Sequence, residues 1–287
     1  MRIFDPHIHM TSRTTDDYER MAAAGVRALV EPAFWLGQPR TSAGSFADYF
    51  DSLVGWEPFR ASQFGIRHYA TIALNPKEAN DPRCREVLDL LPRYLDKDNV
   101  VAVGEIGYDS TTPEEDEAFA AQLALAVAYD LPALVHTPHR DKARGTERSI
   151  AVVAESGIEP GRVVIDHLNE VTVELVRDSG CWAGFSIYPD TKMSPPRMVE
   201  ILRKYGTERM LVNSAADWGR SDPLLTRVTG DAMLAAGFTD DDVDQVLWRN
   251  PIEFYGQSGR LDLAELEGAV AGPAPTFEGN SILRGGS

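Results

Sequence analysis

The sequence predicts an α/β protein built as a single (β/α)8 TIM barrel, on three observations. Eight short apolar or β-branched runs alternate with helix-period stretches, several of those stretches end in a glycine, and the whole fits the roughly 250 residues usual for such a barrel. RIFDPHIH (2–9) supplies the first strand; Asp16 and Glu19, at capping-box spacing, open the first helix, and Gly25 stops it. VRALVEPAF (26–34), IRHYATIAL (66–74) and VVAVGEIG (100–107) supply the next three strands, and residues 114–130 read as a long Ala/Leu helix with an acidic start. LPALVHTP (131–138), RVVIDHL (162–168), CWAGFSIY (181–188) and RMLVNSAAD (209–217) complete the set. Gly157, Gly180 and Gly206 fall just before the last three of these, as residues that end a helix do, and Pro195-Pro196 opens the helix between the last two. Residues 223–236 and 240–255 would close the outer ring. A doubly wound sheet would carry a glycine-rich phosphate turn after its first strand, and here that turn reads HIHMTS. The barrel domain is assigned to 1–260. The Gly/Pro/Ser-rich remainder, 261–287, reads as a tail that the barrel or a neighbouring subunit would have to hold, which leaves room for a homo-oligomer.

Composition removes several classes of function. With 43% hydrophobic residues the chain can bury a barrel core without staples, and its two cysteines, Cys84 and Cys181, lie far apart outside any metal-finger spacing, so they read as free thiols of a reducing, cytoplasmic compartment. No apolar run approaches the ~18 residues of a spanning helix, and the opening MRIFDPHIH lacks the greasy stretch of a signal peptide. The 44 acidic residues against 28 basic leave a net charge of −16, which repels polyanions at long range and disfavours nucleic acid as a partner.

In such a barrel the C-terminal strand ends form the floor of the active site, and five of the six histidines lie at or just past them. His7 and His9 are two apart, so a strand would put both imidazoles on one face. Glu105, His136 and His167 end strands four, five and six at equal spacing, and Asp217 ends the eighth. Four imidazoles and two carboxylates converging there would be costly to bury without cations. The set suits two divalent ions, with Zn²⁺, Mn²⁺, Fe²⁺ or Co²⁺ favoured over Mg²⁺. A natural partition gives His7, His9 and Asp217 to one ion and His136 and His167 to the other, with Glu105 bridging. A hydroxide held between the ions would attack the substrate, with Asp217 carrying its proton.

FDPHIH, VGEIGYD, LPALVHTP, VVIDHL and the strand-eight aspartate together resemble the TatD-like metal-dependent hydrolases of the amidohydrolase superfamily, over roughly residues 1–256. The resemblance implies the same barrel, with Glu105 of GEIGYD bridging two metals where other amidohydrolases use a carboxylated lysine. It carries the ligand roles onto His7, His9, His136, His167 and Asp217. Two departures turn the expected substrate away from DNA: strand three is followed by ALNPKEA in place of a histidine-proline signature, and strand eight reads NSAADWG in place of an SDxP pattern.

Around this set, His139, Arg140 and Lys142 in HTPHRDKARGTER are expected to bind an anionic group of the substrate. By strand parity Asp5 should orient an imidazole, Glu31 should reach the mouth, Asp166 should face the helices, and Asn213 should be structural. Trp35, Tyr188 and Trp218 are expected to wall the pocket, with Phe34 and Trp182 in the core. The sequence thus points to a metal-dependent hydrolase cleaving an ester, phosphoester, amide or lactone bond of a small anionic molecule. A TatD-type 3′–5′ deoxyribonuclease is the first alternative, and a non-catalytic metal-binding barrel or biosynthetic scaffold the second.

Overall fold

In the computed structural model, which describes residues 1–268 apart from 36, 38 and 39, eight parallel strands neighbour one another in chain order. They are β1 (Ile3–Asp5), β2 (Val26–Pro32), β3 (Arg67–Ile72), β4 (Val100–Gly107), β5 (Ala133–His136), β6 (Val163–Ile165), β7 (Trp182–Ser186) and β8 (Met210–Asn213). Each strand is buried on both faces, so the chain needs two apolar layers. Leu29, Ile72, Val103, Val135, Ile165 and Val212 pack outward against the helices, while Phe4, Tyr69, Leu134, Val164, Trp182 and Leu211 fill the barrel interior with Trp248 and Tyr255.

The seam between β8 and β1 is held by a side chain and by loop backbone. Asp5 accepts the Ser214 N–H at 3.3 Å through both oxygens, and beyond it Ala215 N–H donates to His7 O and His9 N–H to Ala216 O, each at 2.9 Å. These bonds clamp the loop after β1 to the loop after β8, directly under the mouth.

Helix stops fall at Gly25, Gly157 and Gly180 as expected, each in the left-handed conformation. The first helix differs at its start: it runs Thr15–Ala24 from Thr14, so Asp16 and Glu19 form no capping box. A working box stands instead at Thr112 and Glu115, at the head of Pro113–Ala128. The tail boundary also shifts. Leu263–Gly268 is helical and Leu266 is buried against the barrel interior from below, so residues 261–268 belong to the barrel, while 269–287 lie outside the described residues. Among the described residues no helix is long and apolar enough to cross a membrane.

Several predicted strands are too long. β1 stops at Asp5, β6 at Ile165 and β8 at Asn213, which leaves His7, His9, His167 and Asp217 on loops beyond the ladder. The period-of-two argument that paired His7 with His9 therefore does not apply to them.

Candidate metal centre

Five of the six expected ligands meet at the floor of the mouth. Glu105 Oε1 is the common point: His136 Nδ1 and His167 Nε2 each lie 3.2 Å from it and His7 Nε2 lies 3.4 Å away. His7 Nε2 and His9 Nε2 face each other at 3.1 Å. His7, His9 and Glu105 form one group of close donor atoms, and Glu105, His136 and His167 form another, every member buried. Two observations fit this set to cations. Among the described residues the buried Nε2 of His136 has no hydrogen-bond partner, and the facing Nε2 atoms of His7 and His9 beside a carboxylate leave lone pairs that a cation would satisfy.

The imidazoles are held in place from behind. Asp166 Oδ2 takes the His7 Nδ1 position at 2.7 Å, and Ser186 Oγ lies 2.6 Å from His167 Nδ1, so in each ring Nε2 is left to face Glu105. The Phe34 ring stacks on His9 with centroids 3.8 Å apart. Asn75 Nδ2 donates to the second Glu105 oxygen at 3.0 Å. Burial opposes charge on His7, but Glu105 and Asp166 outweigh it and raise its pKa. Burial likewise opposes charge on Glu105, and the surrounding His7, His136 and His167 overcome it, holding the carboxylate well below its ordinary range. Burial drives His9 and His167 well below theirs, helped by His7 and by Lys192 respectively.

Three expectations about supporting residues change. Asp166 faces inward: Val164 points into the barrel and Ile165 toward the helices, so strand alternation turns Asp166 inward, and it is His167 that leaves the alternation, through a left-handed turn (φ 63°). Asp166 also accepts the His167 N–H at 2.6 Å and Asn213 Nδ2 at 3.0 and 3.1 Å, so Asn213 anchors the residue that orients His7. Asp5 binds the backbone N–H groups of His7 and Ser214 and touches no imidazole; burial pushes it up to about 7 despite those bonds. Glu31 does not reach the mouth. It lies on the helix-facing side of β2, pairs with His68 at 2.8 Å and accepts from Thr11 N–H at 2.7 Å, bracing the segment that follows His9.

Above the floor opens a cavity of about 260 Å³, lined by His9, Glu105, His136, His139, His167 and Asp217 together with Phe34, Trp35, Tyr188, Trp218, Lys77 and Lys192. Trp35, Tyr188 and Trp218 wall it as expected, and Phe34 joins them in place of the core role assigned to it. Asp217 stands on the wall, apart from both donor groups, with Oδ1 accepting from Gly219 N–H at 2.7 Å and Tyr188 OH at 3.2 Å. That arrangement does not match the partition that made it a ligand beside His7 and His9. Of the expected anion binders, His139 lines the cavity, Arg140 is exposed outside the lining, and Lys142 turns inward. Its Nζ donates to the His167 carbonyl at 2.7 Å and to Thr137 Oγ1 at 3.0 Å, tying the β5 and β6 loops together. Lys192, Lys77 and Asn75 were missed; each follows a strand end by a few residues, a position that could have drawn attention to them.

Comparison with known proteins identifies the family and the fold. Residues 4–255 match the family model described as TatD related DNase. An uncharacterized metal-dependent hydrolase of Methanocaldococcus jannaschii is 27% identical over 257 residues, covering 88% of this chain and 99% of that protein. The 3′-5′ ssDNA/RNA exonuclease TatD of Dickeya dadantii is 28% identical over 147 residues, 47% of this chain and 48% of that one. Among solved structures, a TatD-like protein from Archaeoglobus fulgidus superposes with a TM-score of 0.74 at 25% identity, over 88% of this chain and 99% of that chain.

Proposed function

This chain belongs to the TatD-related DNase family and is a metal-dependent hydrolase, and from that premise we propose that two divalent ions on its floor serve hydrolysis of a small anionic substrate. The bond cleaved is an ester, phosphoester, amide or lactone. His7 and His9 would hold one ion, His136 and His167 the other, with Glu105 shared, and Zn²⁺, Mn²⁺, Fe²⁺ or Co²⁺ suits the imidazole-rich set better than Mg²⁺. When bound, such ions supply Lewis-acid polarisation of the scissile group and an activated water as nucleophile. Asp166 fixes the His7 tautomer that presents Nε2 to the floor, and Ser186 holds the His167 ring in place. Asp217, with Oδ1 held by Gly219 and Tyr188, receives the proton of the attacking water and returns it to the leaving group. Lys192 and His139 stand where an anionic substrate enters.

The observation that carries this reading is the sharing of one buried Glu105 oxygen by three imidazoles at the base of a cavity. Elemental analysis of protein purified without chelator tests it: two ions per chain are expected, falling in Glu105→Ala. One ion or none after reconstitution refutes the two-ion site. The exonuclease named among the relatives supports a second reading, cleavage of DNA from a 3′ end. Cleavage of a labelled single-stranded oligonucleotide, abolished by chelation and by Glu105→Ala, would favour it.

A further inference from the structure

We propose that the cavity selects a small substrate with one planar aromatic body and one anionic group, the anion seated on Lys192 and the ring among Trp35, Tyr188 and Trp218. The proposal rests on the hydrolase reading above and narrows its substrate class.

Two lysines line the cavity, and they differ. Lys77 Nζ is bound to Asp109 Oδ1 at 2.6 Å and lies 5.3 Å from the Trp35 ring centroid, so its charge is already matched. Lys192 has no carboxylate partner among the described residues; its Nζ lies 3.1 Å from His167 Nδ1, at the edge of the floor where the scissile group must sit. A half-buried ammonium with no carboxylate in salt-bridge contact among the described residues is an arrangement that an anionic ligand relieves. Lys142, the other cation of this region, is committed to the His167 carbonyl and cannot play that part.

The aromatic residues supply the second half of the argument. Trp35 and Trp218 meet at 6.3 Å in an edge-to-face pair, and Trp218 is 56% exposed, a large apolar surface left open at the rim. A cavity of about 260 Å³ lies just under the roughly 300–1,000 Å³ of drug-sized ligand sites, which matches one ring plus its reacting group.

Matched 4-nitrophenyl esters test the charge. Methyl 4-nitrophenyl phosphate is a monoanion and dimethyl 4-nitrophenyl phosphate is neutral. In each, the water oxygen bonds to phosphorus, the bond from phosphorus to the aryl oxygen breaks, and 4-nitrophenolate leaves with the electron pair while the water's proton passes to Asp217 and, since this leaving group needs none, on to solvent. Lys192→Met should lower kcat/KM for the monoanion about 10- to 100-fold relative to the neutral ester, and Lys192→Arg should restore most of it. The ratio is taken within one protein preparation, so partial misfolding or metal loss cancels. Calorimetry tests the ring: phenylphosphonate should bind about tenfold more tightly than methylphosphonate, with the difference lost in Trp218→Ala. An equal loss for both esters in Lys192→Met, or equal binding of the two phosphonates, overturns the proposal and leaves the hydrolase reading standing. A metal-loaded enzyme that turns over a single-stranded octanucleotide better than the monoanionic ester overturns it in favour of polymer ends. If the loaded enzyme cleaves no phosphate ester, carboxylic ester, lactone or amide, the hydrolase reading falls and the proposal with it.

Discussion

Replacing Asp166 by Asn keeps the shape of the side chain and changes its hydrogen-bonding capacity, which makes it a sharp test of how the floor is held. Asp166 accepts four bonds: Oδ1 from His167 N–H at 2.6 Å and Asn213 Nδ2 at 3.1 Å, Oδ2 from Asn213 Nδ2 at 3.0 Å and His7 Nδ1 at 2.7 Å. An amide has one acceptor oxygen and one donor nitrogen. If the nitrogen takes the Oδ1 place, it confronts the His167 N–H with a second donor. If it takes the Oδ2 place, it forces the His7 proton to Nε2, the atom that faces Glu105. Either orientation leaves a buried donor unpaired at about 1–3 kcal/mol. Removing the partner of a metal-binding imidazole typically weakens metal affinity about 10- to 100-fold. The expected result is a loss of about 1–3 kcal/mol in urea unfolding of the metal-free protein, together with at least tenfold weaker metal retention in competition with a chromogenic chelator. Unchanged unfolding and metal retention within threefold of wild type would refute the claim that Asp166 orients His7.

Gly184→Ala should act through the same residue: a Cβ there would lie 2.5 Å from Asp166 Oδ1 and 2.9 Å from its Cα, so the carboxylate must shift, and metal retention should fall along with stability, read by the same two assays. His139 is held down to about 4 by burial and then by Lys192, so its folded-state pKa lies below the ordinary 6.5. The unfolded chain then takes up a proton that the folded one refuses, and stability is lost as pH falls from 6.5 to about 4; denaturation curves across that window should show the slope in wild type and a smaller one in His139→Gln. Cys84 and Cys181 are buried free thiols, and burial pushes Cys84 up to about 11, so a thiol reagent at pH 8 should label neither in the native protein within minutes and both after unfolding. Asn213→Ala should loosen Asp166 while leaving its bonds to His7 and His167 available, giving a smaller loss of metal retention than Asp166→Asn in the same chelator assay.

Much of the barrel and most of the floor were legible in the sequence. The alternation of β and α runs and the even spacing of Glu105, His136 and His167 are local signals, because β4, β5 and β6 are neighbours in both chain and space and their ends rise to similar heights. VVAVGEIG matched the bounds of β4 from end to end, although the register shifts between Gly104 and Ile106 and turns Glu105 inward against the parity of Val103. Parity also failed where the ladder stopped short. His7 and His9 converge through the backbone bonds of the seam to Ala215 and Ala216, and His167 reaches the floor through its left-handed turn while Asp166 keeps the inward parity of Val164.

The sequence by itself determined the fold and the chemical identity of the floor, since periodicity and residue type at strand ends are properties of short segments. Only the tertiary structure decided which carboxylate orients His7, that Lys142 spends its charge on a carbonyl, and that Lys192 is left without a carboxylate partner among the described residues. Those outcomes depend on distances across the barrel. Asp166 reaches His7 from 159 residues away, and no local pattern records which of several carboxylates will arrive within 2.7 Å of a given ring nitrogen.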